Sequence, residues 1–292
     1  MQDQEFNQFL ADMRPRVHRY CARMTGSAID GDDVVQDVFV KAIVARQADG
    51  TIDNPQGWLF RIAHNAALDH LRYRARHPEV PLESDTDMTE TMHLSAPDDD
   101  IVAVGFGTFL RLPVLQRCAV VLKDLLGHSV EEIAAIAGCS VPAAKSALQR
   151  GRENLRKLAA EPQDVQVPLI GDEDRTRLSE FVAFFRSGDF DSIRRTLADD
   201  VKLDLVARLK LRGRDKIGRY FTRYAQAPHW RFELGAVDGR PAMLVFDANG
   251  TMEMPAHFVI VEWRDGRIAE IRDFLFTPYV LEGSDWVRLR AH

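Results

Sequence analysis

The sequence contains few cysteines, no long apolar run and no large excess of one charge. Its three cysteines, Cys21, Cys118 and Cys139, are odd in number and widely spaced. This pattern excludes a disulfide framework and a metal-ligand set, so we expect a cytoplasmic protein without metal or cofactor. No run of about 18 apolar residues is present, which argues against a membrane span. Residues 1–10 are polar and do not resemble a secretory signal.

What is present is an ordinary globular composition with an uneven charge distribution. The 292 residues are 46% hydrophobic and 28% charged, which suffices for two or three small domains. The net charge of −6 would disfavour nucleic-acid binding if it were evenly spread. However, residues 111–158 carry eight Lys or Arg against four Asp or Glu, whereas residues 79–100 carry eight acids and no Lys or Arg. Because a phosphate backbone responds to charges within roughly 8–10 Å, the basic segment is a candidate nucleic-acid surface.

Periodicity predicts a multidomain chain of two all-α domains followed by an α+β domain. Apolar residues at helical spacing predict three helices before residue 77 and further helices in residues 101–160. After residue 172, one or two helices precede alternating apolar segments with turn signals at Asn249-Gly250 and Asp265-Gly266, which predict an antiparallel sheet. The predicted domains and linkers are residues 1–77, an acidic flexible connector at 78–100, residues 101–160, a linker at 161–171, and residues 172–292.

Residues 129–145 are typical of a helix-turn-helix. Gly138 suits the positive φ of the turn, and Ser140 can cap the second helix. Along that helix, Lys145, Gln149, Arg152 and Arg156 recur at steps of four, three and four, opposite an apolar stripe. Such a stripe suits phosphate and base-edge contacts in a major groove. The alternative is the solvated face of a helical hairpin.

The third helix carries a second, weaker basic stripe. Arg61, Asn65, Arg72 and Arg76 recur at helical spacing, and Trp58 stands at its start. Aromatic and amide groups beside cations suit exposed bases of a single strand, although Trp58 alone is more typical of a core residue. The histidines alongside, among them His64, His70 and His77, lack metal-ligand partners and are interpreted as surface or cap residues.

Residues 32–39 and 58–72 resemble region 2 of the extracytoplasmic-function (ECF) group of sigma-70-family factors. Residues 112–155 are similar to region 4 of the same group, with Ala144 where a larger aliphatic residue is usual. The resemblance implies a sigma factor that binds core RNA polymerase and directs it to promoter DNA. It implies polymerase contacts by Asp33, Gln36, Asp37, Phe39 and Lys41. It implies −10 contacts by Asn54, Trp58, Arg61, Asn65, Asp69, Arg72 and Arg76. It implies −35 contacts by Ser140, Ala143, Lys145, Ser146, Gln149, Arg150, Arg152 and Arg156.

The C-terminal segment, residues 172–283, resembles the SnoaL-like, nuclear-transport-factor-2-like cone fold. Related cones hold a carboxylate or histidine inside a cavity, where such groups transfer protons. The candidate cavity residues are Asp204, Tyr220, Trp230, Phe246, His257 and Asp273, with Glu253 and Phe258 as further candidates. The competing interpretation is that the aromatic residues are core and the polar ones end strands. We therefore expect no catalysis, but a regulatory domain that contacts the sigma domains and can take a small ligand.

Two other functions remain open at this point. A small-molecule enzyme could be fused to a helix-turn-helix regulator, which requires ionisable groups that converge in an open cavity. A plain helix-turn-helix repressor would bind duplex DNA tightly without polymerase and would need a dimer interface, for which the sequence shows no heptad or extra apolar helix.

Overall fold

The computed structural model describes residues 3–48, 52–77, 105–160, 171–225 and 229–289. Contacts divide the chain into two compact units, residues 1–164 and 165–292. The predicted acidic connector at 78–100 and residues 161–170 of the predicted linker lie outside the described residues. None of the helices in the described ranges combines the length and hydrophobicity needed to cross a membrane.

The first unit, called here the helical unit, is built only of helices over its described ranges. Its first half contains three long helices, α1 (Asp3–Thr25), α2 (Ala28–Ala48) and α3 (Pro55–Arg76). Its second half contains α4 (Phe106–Leu110), α5 (Val114–Val120) with a π-helical continuation (Val121–Leu125), α6 (Val130–Ala137) and α7 (Val141–Ala160). The predicted helices are confirmed to within a few residues.

Small residues let α1 and α2 cross closely. Gly26, with φ of +78°, ends α1, and α2 starts two residues later. A Cβ at Gly31 would lie only 2.7 Å from the backbone of Ala22. Next to this crossing, α1 presents the apolar face that forms the core: Phe6, Leu10, Met13, Val17, Tyr20 and Met24.

Local capping fixes the helix-turn-helix in the second half. Ser129 and Glu132 form a reciprocal capping box at the start of α6, so two of the free backbone donors of that helix are satisfied. Gly138 ends α6 in the left-handed region with φ of +65°. The Ser140 hydroxyl then accepts a hydrogen bond from the backbone N–H of Ala143 at 3.3 Å, as its predicted cap role requires.

The two halves of the helical unit share one core. Arg117 of α5 is buried and donates hydrogen bonds to the carbonyls of Met24, Leu110 and Leu112 at 2.5–3.0 Å. Arg16 of α1 donates to the carbonyl of Leu126 at 2.9 Å. The Tyr20 hydroxyl also donates to Sγ of Cys118 at 3.4 Å, and the Phe60 and His128 rings meet edge to face at 4.9 Å.

The second unit, called here the C-terminal unit, contains three α-helices, a short 3-10 helix (Pro278–Leu281) and one sheet over its described ranges. The helices are α8 (Asp172–Ser187), α9 (Phe190–Thr196) and α10 (Arg214–Ala225). The strands are β1 (Leu197–Leu205), β2 (Leu209–Arg212), β3 (Trp230–Val237), β4 (Arg240–Asp247), β5 (His257–Arg264), β6 (Arg267–Asp273) and β7 (Trp286–Arg288). Their order in the sheet is β2-β1-β6-β5-β4-β3-β7.

The sheet is mostly antiparallel, as predicted, but β1 and β6 run parallel. The two strands are far apart in the sequence, so a long connection is available for parallel pairing. Asp265-Gly266 makes the predicted tight turn, with both residues at positive φ. Asp238-Gly239 makes a second such turn that was not predicted. Asn249-Gly250 lies in a turn closed by the Gly250 N–H and the Asp247 carbonyl at 3.0 Å, within a longer β4–β5 loop.

Candidate nucleic-acid interface and ligand cavity

The second helix of the helix-turn-helix, α7, has one buried and one exposed face. The buried face consists of small and aliphatic residues: Ala144, Ala147, Leu148, Gly151 and Leu155. The small Gly151 allows α5 to approach, because a Cβ there would lie 2.9 Å from the carbonyl oxygen of Gln116. The opposite face exposes Lys145, Ser146 and Arg150, with Ser140 at its start and Gln149 half-buried.

Arg152 is oriented away from this exposed face by an acidic partner. Its Nε donates to Oδ2 of Asp124 at 2.9 Å, and its Nη2 pairs with Oδ1 of the same carboxylate. The Asp124 side chain is almost fully buried. The bidentate pair thus holds α7 against the π-helical continuation of α5, and a DNA contact by Arg152 would compete with this pair. Arg156 remains exposed.

The predicted stripe on α3 is exposed along its length. It comprises Arg61, Asn65, Asp69, Arg72 and Arg76. Asp69 accepts from Arg72 at 3.1 Å and lies 3.8 Å from Nζ of Lys41, so part of the positive charge is neutralised within the protein. Tyr73 is exposed beside the stripe and stacks on His77 with ring centroids 4.5 Å apart. The sequence interpretation missed this aromatic pair, although Tyr73 directly follows Arg72.

The residues at the start of α3 have structural roles. Asn54 caps the helix by accepting from the backbone N–H of Gly57 at 2.9 Å. Trp58 is half-buried and packs near Phe6, with ring centroids 6.3 Å apart. Asn54 is exposed and Trp58 is half-buried, and both lie at the N-terminal end of the stripe.

The interpretation of the α3 histidines as surface or cap residues is wrong for His64. His64 is buried and hydrogen-bonds through Nδ1 to the Tyr20 hydroxyl at 2.7 Å. Burial lowers the pKa of this imidazole. Its position on the inward face of α3 is the reason for the error, because a polar side chain was assumed to face solvent. His77 is the C-cap residue of the helix, as expected.

The face of α2 that is implied to contact polymerase is polar at one end and apolar at the other. Asp33, Asp37 and Lys41 are exposed, and Phe39 and Gln36 are half-buried. The Gln36 amide donates to Oδ2 of the buried Asp32 at 3.0 Å, and the Arg14 guanidinium lies over the Phe39 ring.

Three exposed aliphatic residues extend this face and were missed by the sequence interpretation: Val40, Ile43 and Val44. Val40 and Val44 each have 62% of their surface exposed. Ile43 has 44% of its surface exposed. Their spacing of i, i+3 and i+4 was the available signal, since it defines one helix face.

The face of the C-terminal sheet that packs against α10 carries a buried polar cluster, called here the Asp273 cluster. The hydroxyls of Tyr220 and Tyr224, one helical turn apart on α10, both donate to Oδ2 of Asp273, at 2.8 and 2.5 Å. The backbone N–H of Leu275 donates to Oδ1 at 2.9 Å. The Tyr224 oxygen also lies 3.2 Å from Nε2 of His257. Tyr224 was missed by the sequence interpretation, although it stands four residues after Tyr220.

Burial determines the charge states in the Asp273 cluster. It lowers the pKa of His257, with a smaller opposing effect from the Asp273 carboxylate. It raises the pKa of Tyr224, and the neighbouring Asp273 carboxylate acts in the same direction. His257 and Tyr224 are therefore both neutral near pH 7.

The strand register separates the predicted cavity residues into two faces. Phe232, Val245 and His257 lie in one row across β3, β4 and β5, because Phe232 pairs with Val245 and Val245 pairs with His257. Asp273 pairs with Val259, two residues after His257, so it lies on the same face in the next row. Side chains alternate along a strand, and neighbours in sequence therefore point to the other face.

This alternation shows that Phe246 and Asp204 do not lie in the cavity, where the sequence interpretation had placed them. Phe246 adjoins Val245 and packs on the outer face against Trp286, at 6.3 Å between ring centroids, and beneath Arg288. Asp204 lies one residue before the position that pairs with Asp273 and forms an ion pair with Lys210 at 3.0 Å.

The two further candidates also lie outside the cavity. Phe258 stacks on Phe274 at 4.2 Å, on the outer face, and Glu253 is exposed in the β4–β5 loop. The Asp273 cluster therefore retains Tyr220, His257 and Asp273 from the predicted set.

A cavity of about 820 Å³ opens beside the Asp273 cluster. Trp230, half-buried, is the one predicted residue that lines it directly. Its other lining side chains include Phe185, Phe190, Tyr224, Phe232 and Met252. No group of three or more His, Cys, Asp or Glu within the described ranges is arranged to hold a metal ion.

Comparison with protein families matches three consecutive segments of the chain. Residues 9–77 match sigma-70 region 2, residues 108–155 match sigma-70 region 4, and residues 178–271 match the SnoaL-like domain. The first two segments contain α3 and the helix-turn-helix, and the third contains the Asp273 cluster except for Asp273 itself.

Two curated relatives and one solved structure place these segments in context. The ECF RNA polymerase sigma factor SigM of Mycobacterium tuberculosis is 32% identical over 153 residues, which cover 52% of this chain and 76% of SigM. The sigma factor CarQ of Myxococcus xanthus is 37% identical over 161 residues, or 53% of this chain and 90% of CarQ. The crystal structure of M. tuberculosis SigJ, also an ECF sigma factor, covers 92% of this chain and 95% of SigJ, with 22% identity and a TM-score of 0.35. The chain belongs to the ECF sigma factors of the sigma-70 family, the subunits that direct RNA polymerase in transcription initiation.

Proposed function

We propose that the helical unit binds core RNA polymerase through α2 and reads a promoter with α3 and α7, in the cytoplasm. The observation that carries this assignment is the two-sided α7. Its buried stripe is fixed by α5 and α6, while Lys145, Ser146 and Arg150 face outward together. A rigid helix with outward cations and hydrogen-bonding groups is what readout of a major groove requires.

The −35 contact is proposed for Lys145, Ser146, Gln149, Arg150 and Arg156, with Ser140 and Ala143 at the helix start. Arg152 is left out, because its guanidinium is held by Asp124.

Reconstituting the chain with core polymerase on genomic DNA and sequencing the transcript starts would give the promoter. Lys145→Ala or Arg150→Ala should then weaken promoter binding by about tenfold, within the range for one base or phosphate contact. Lys157→Ala, which removes an exposed cation paired with Glu153, is the matched control and should bind normally. Equal losses in all three variants would contradict the assignment.

The −10 contact is proposed for the exposed α3 stripe and its aromatic neighbours. Cations at Arg61, Arg72 and Arg76 suit a phosphate backbone, and the exposed Tyr73 offers a face on which a base can stack. Tyr73→Ala should reduce promoter melting, measured by permanganate reactivity of the −10 region, without changing binding of the closed duplex. A variant that melts the promoter normally would exclude Tyr73 from this role.

The polymerase contact is proposed for the α2 face. The exposed Val40, Ile43 and Val44 supply an apolar centre, and Asp33, Asp37 and Lys41 supply a polar rim. An apolar centre with a polar rim is the usual anatomy of a protein interface. Val44→Asp should lower the affinity for core polymerase by at least tenfold in a fluorescence titration. The control is Asn7→Asp, which adds the same charge at an exposed position of α1; an equal loss there would contradict the proposal.

We further propose that the two halves of the helical unit separate when polymerase binds. Elements named for positions −10 and −35 lie about 25 base pairs apart, or about 85 Å at 3.4 Å per base pair. A compact unit of about 160 residues has a radius of gyration of only about 15 Å. The packed unit therefore cannot span both elements, and the interface around Arg117 has to open.

The C-terminal unit is proposed to modulate the sigma activity by contacting the helical unit, without catalysing a reaction. Its own hydrophobic core supports an independently folded module. Asp273 accepts hydrogen bonds from two tyrosines and one backbone N–H, so both of its oxygens are already engaged by protein donors. Transcription should change when residues 165–292 are removed. Unchanged promoter activity and polymerase affinity in that truncated chain would refute a regulatory role.

A further inference from the structure

The crossing of α5 and α7 is held by one close backbone approach and two side-chain contacts. The helices approach at Gly151, where a Cβ would lie 2.9 Å from the carbonyl oxygen of Gln116. The Asn154 amide donates to Oε1 of Gln116 at 2.9 Å. The Arg152 guanidinium donates twice to Asp124. Around the α7 axis, Arg152 lies about 100° from Gly151 in one direction and Asn154 about 60° in the other, so contacts on both sides restrain rotation of α7.

The π-helical turn Val121–Leu125 brings Asp124 to face α7. Eight residues of uninterrupted α-helix turn through about 800°, so Asp124 would lie about 80° around the axis from Gln116. A π turn closes its hydrogen bonds over one more residue and therefore rotates less per residue, which returns Asp124 towards the line of Gln116. This local departure from α-helical geometry places an almost fully buried carboxylate within reach of Arg152.

Arg152 belongs to the same stripe of α7 as residues proposed to contact the −35 element. It follows Lys145 by seven residues and Gln149 by three, so the three side chains lie along one side of the helix. Lys145 is exposed, whereas the Arg152 guanidinium is directed towards the protein by Asp124. A rotation of α7 that moved Arg152 outwards would also move Lys145 and Gln149. The ion pair therefore controls how the DNA-facing side chains are presented.

We propose that Asp124 and Arg152 are positioning residues for promoter recognition. Their ion pair sets the rotation of α7 at which Lys145 and Gln149 meet the −35 element, and neither member of the pair contacts DNA. A planar guanidinium paired through two hydrogen bonds fixes orientation as well as distance, which a lysine ammonium does not. The inference rests on the −35 contact proposed for α7 and adds to it two residues that act through others.

Positioning and simple electrostatics predict opposite effects of neutralising Asp124. Asp124→Asn removes an acidic side chain near the DNA and releases the Arg152 guanidinium, so electrostatics alone would tighten binding to every duplex. Loss of positioning instead lowers the preference for the correct −35 bases by about fivefold or more, the lower limit for one bidentate base contact. Arg152→Lys keeps the charge but not the bidentate geometry, so it should lose the preference as well.

The measurement uses holoenzyme reconstituted from the full chain and two duplexes: the promoter found by transcript-start sequencing, and the same promoter with its −35 element scrambled. The preference is the ratio of the two affinities, and a urea midpoint shows whether each variant folds. Glu153→Gln is the matched control, because it removes an acid from α7 that pairs with Lys157 and should leave the preference unchanged.

A preference that survives in Asp124→Asn or Arg152→Lys, or that falls equally in Glu153→Gln, would overturn the inference and leave the proposed −35 contact standing. A wild-type holoenzyme without any preference would remove the proposed contact and this inference together. If the variants do not fold, nitrogen-15 NMR of the wild-type chain with the −35 duplex provides the second measurement. The backbone amide of Lys145 should shift on binding, whereas the Nε resonance of Arg152 should stay unchanged; a shift of that Nε resonance would refute the positioning role.

Discussion

Replacing Arg117 with methionine is expected to weaken the contact between the two halves of the helical unit. Arg117 is 4% exposed and donates to three backbone carbonyls, of which that of Met24 belongs to the other half. Methionine fills similar space without a donor, so all three carbonyls lose a charge-assisted hydrogen bond. The perturbation therefore tests whether this one side chain holds the packed state together.

The magnitude follows from the one carbonyl that Arg117 reaches across the interface. A buried carbonyl left without a donor costs about 1–3 kcal/mol, and only the Met24 carbonyl belongs to the other half, because those of Leu110 and Leu112 lie in the same half as Arg117. Burial lowers the pKa of Arg117 to about 10, which shows that its charge is partly desolvated and that removing the charge offsets part of this cost. A loss of about 1–3 kcal/mol corresponds to roughly a 5-fold to 150-fold increase in the opening constant.

Hydrogen exchange of the full chain, followed by mass spectrometry, measures this opening directly. Amides near the C-terminus of α1 and in α5 should exchange roughly 5-fold to 150-fold faster in Arg117→Met. Lys157→Met is the control, since it removes an exposed i,i+4 pair worth about 0.3–0.5 kcal/mol. If the packed state competes with polymerase, Arg117→Met should also bind core polymerase more tightly. An increase in exchange below about threefold, or an equal increase in the control, would refute the reasoning.

Acid is expected to destabilise the helical unit, because burial lowers the folded-state pKa of His18, His64 and His128 below the usual 6.5. The unfolded chain then binds more protons than the folded chain, so the free energy of unfolding is highest above about pH 7 and falls below pH 6.5. The decrease is at most about 1.4 kcal/mol per pH unit for each histidine. Urea midpoints that do not change between pH 7.5 and 5.5 would contradict this. Gly31→Ala should destabilise the α1–α2 crossing by about 1–3 kcal/mol, because its Cβ would meet the Ala22 backbone at 2.7 Å; an unchanged urea midpoint would show that the crossing relaxes freely.

Helix positions and turns were predictable from the sequence because their causes are local. The inward apolar spacing of α1, the Ser129–Glu132 capping box and the positive φ of Gly138 each depend on residues within about one turn. The Asp265-Gly266 turn has the same short range. Motifs in α2, α3 and α7 were sufficient to identify the family for the same reason.

The candidate sites were only partly predictable because their decisive contacts join distant residues. Arg152 meets Asp124 across 28 positions, and His64 meets Tyr20 across 44. Neither pairing leaves a periodic signal, so the sequence interpretation placed His64 at the surface and did not foresee the ion pair of Arg152. In the sheet, a shift of one residue reverses the face, which is why Phe246 was placed in the cavity.

By itself, the sequence determined the helical segments, the helix-turn-helix, the α+β character of the C-terminal part and the membership in the sigma-70 family. Only the tertiary structure decided that Arg117 joins the two halves of the helical unit, that β1 pairs with β6, and that Tyr224, His257 and Asp273 meet beside a cavity. The physical reason is range. Backbone propensity and capping act over a few residues, whereas burial and hydrogen bonding across a core depend on which distant segments pack together.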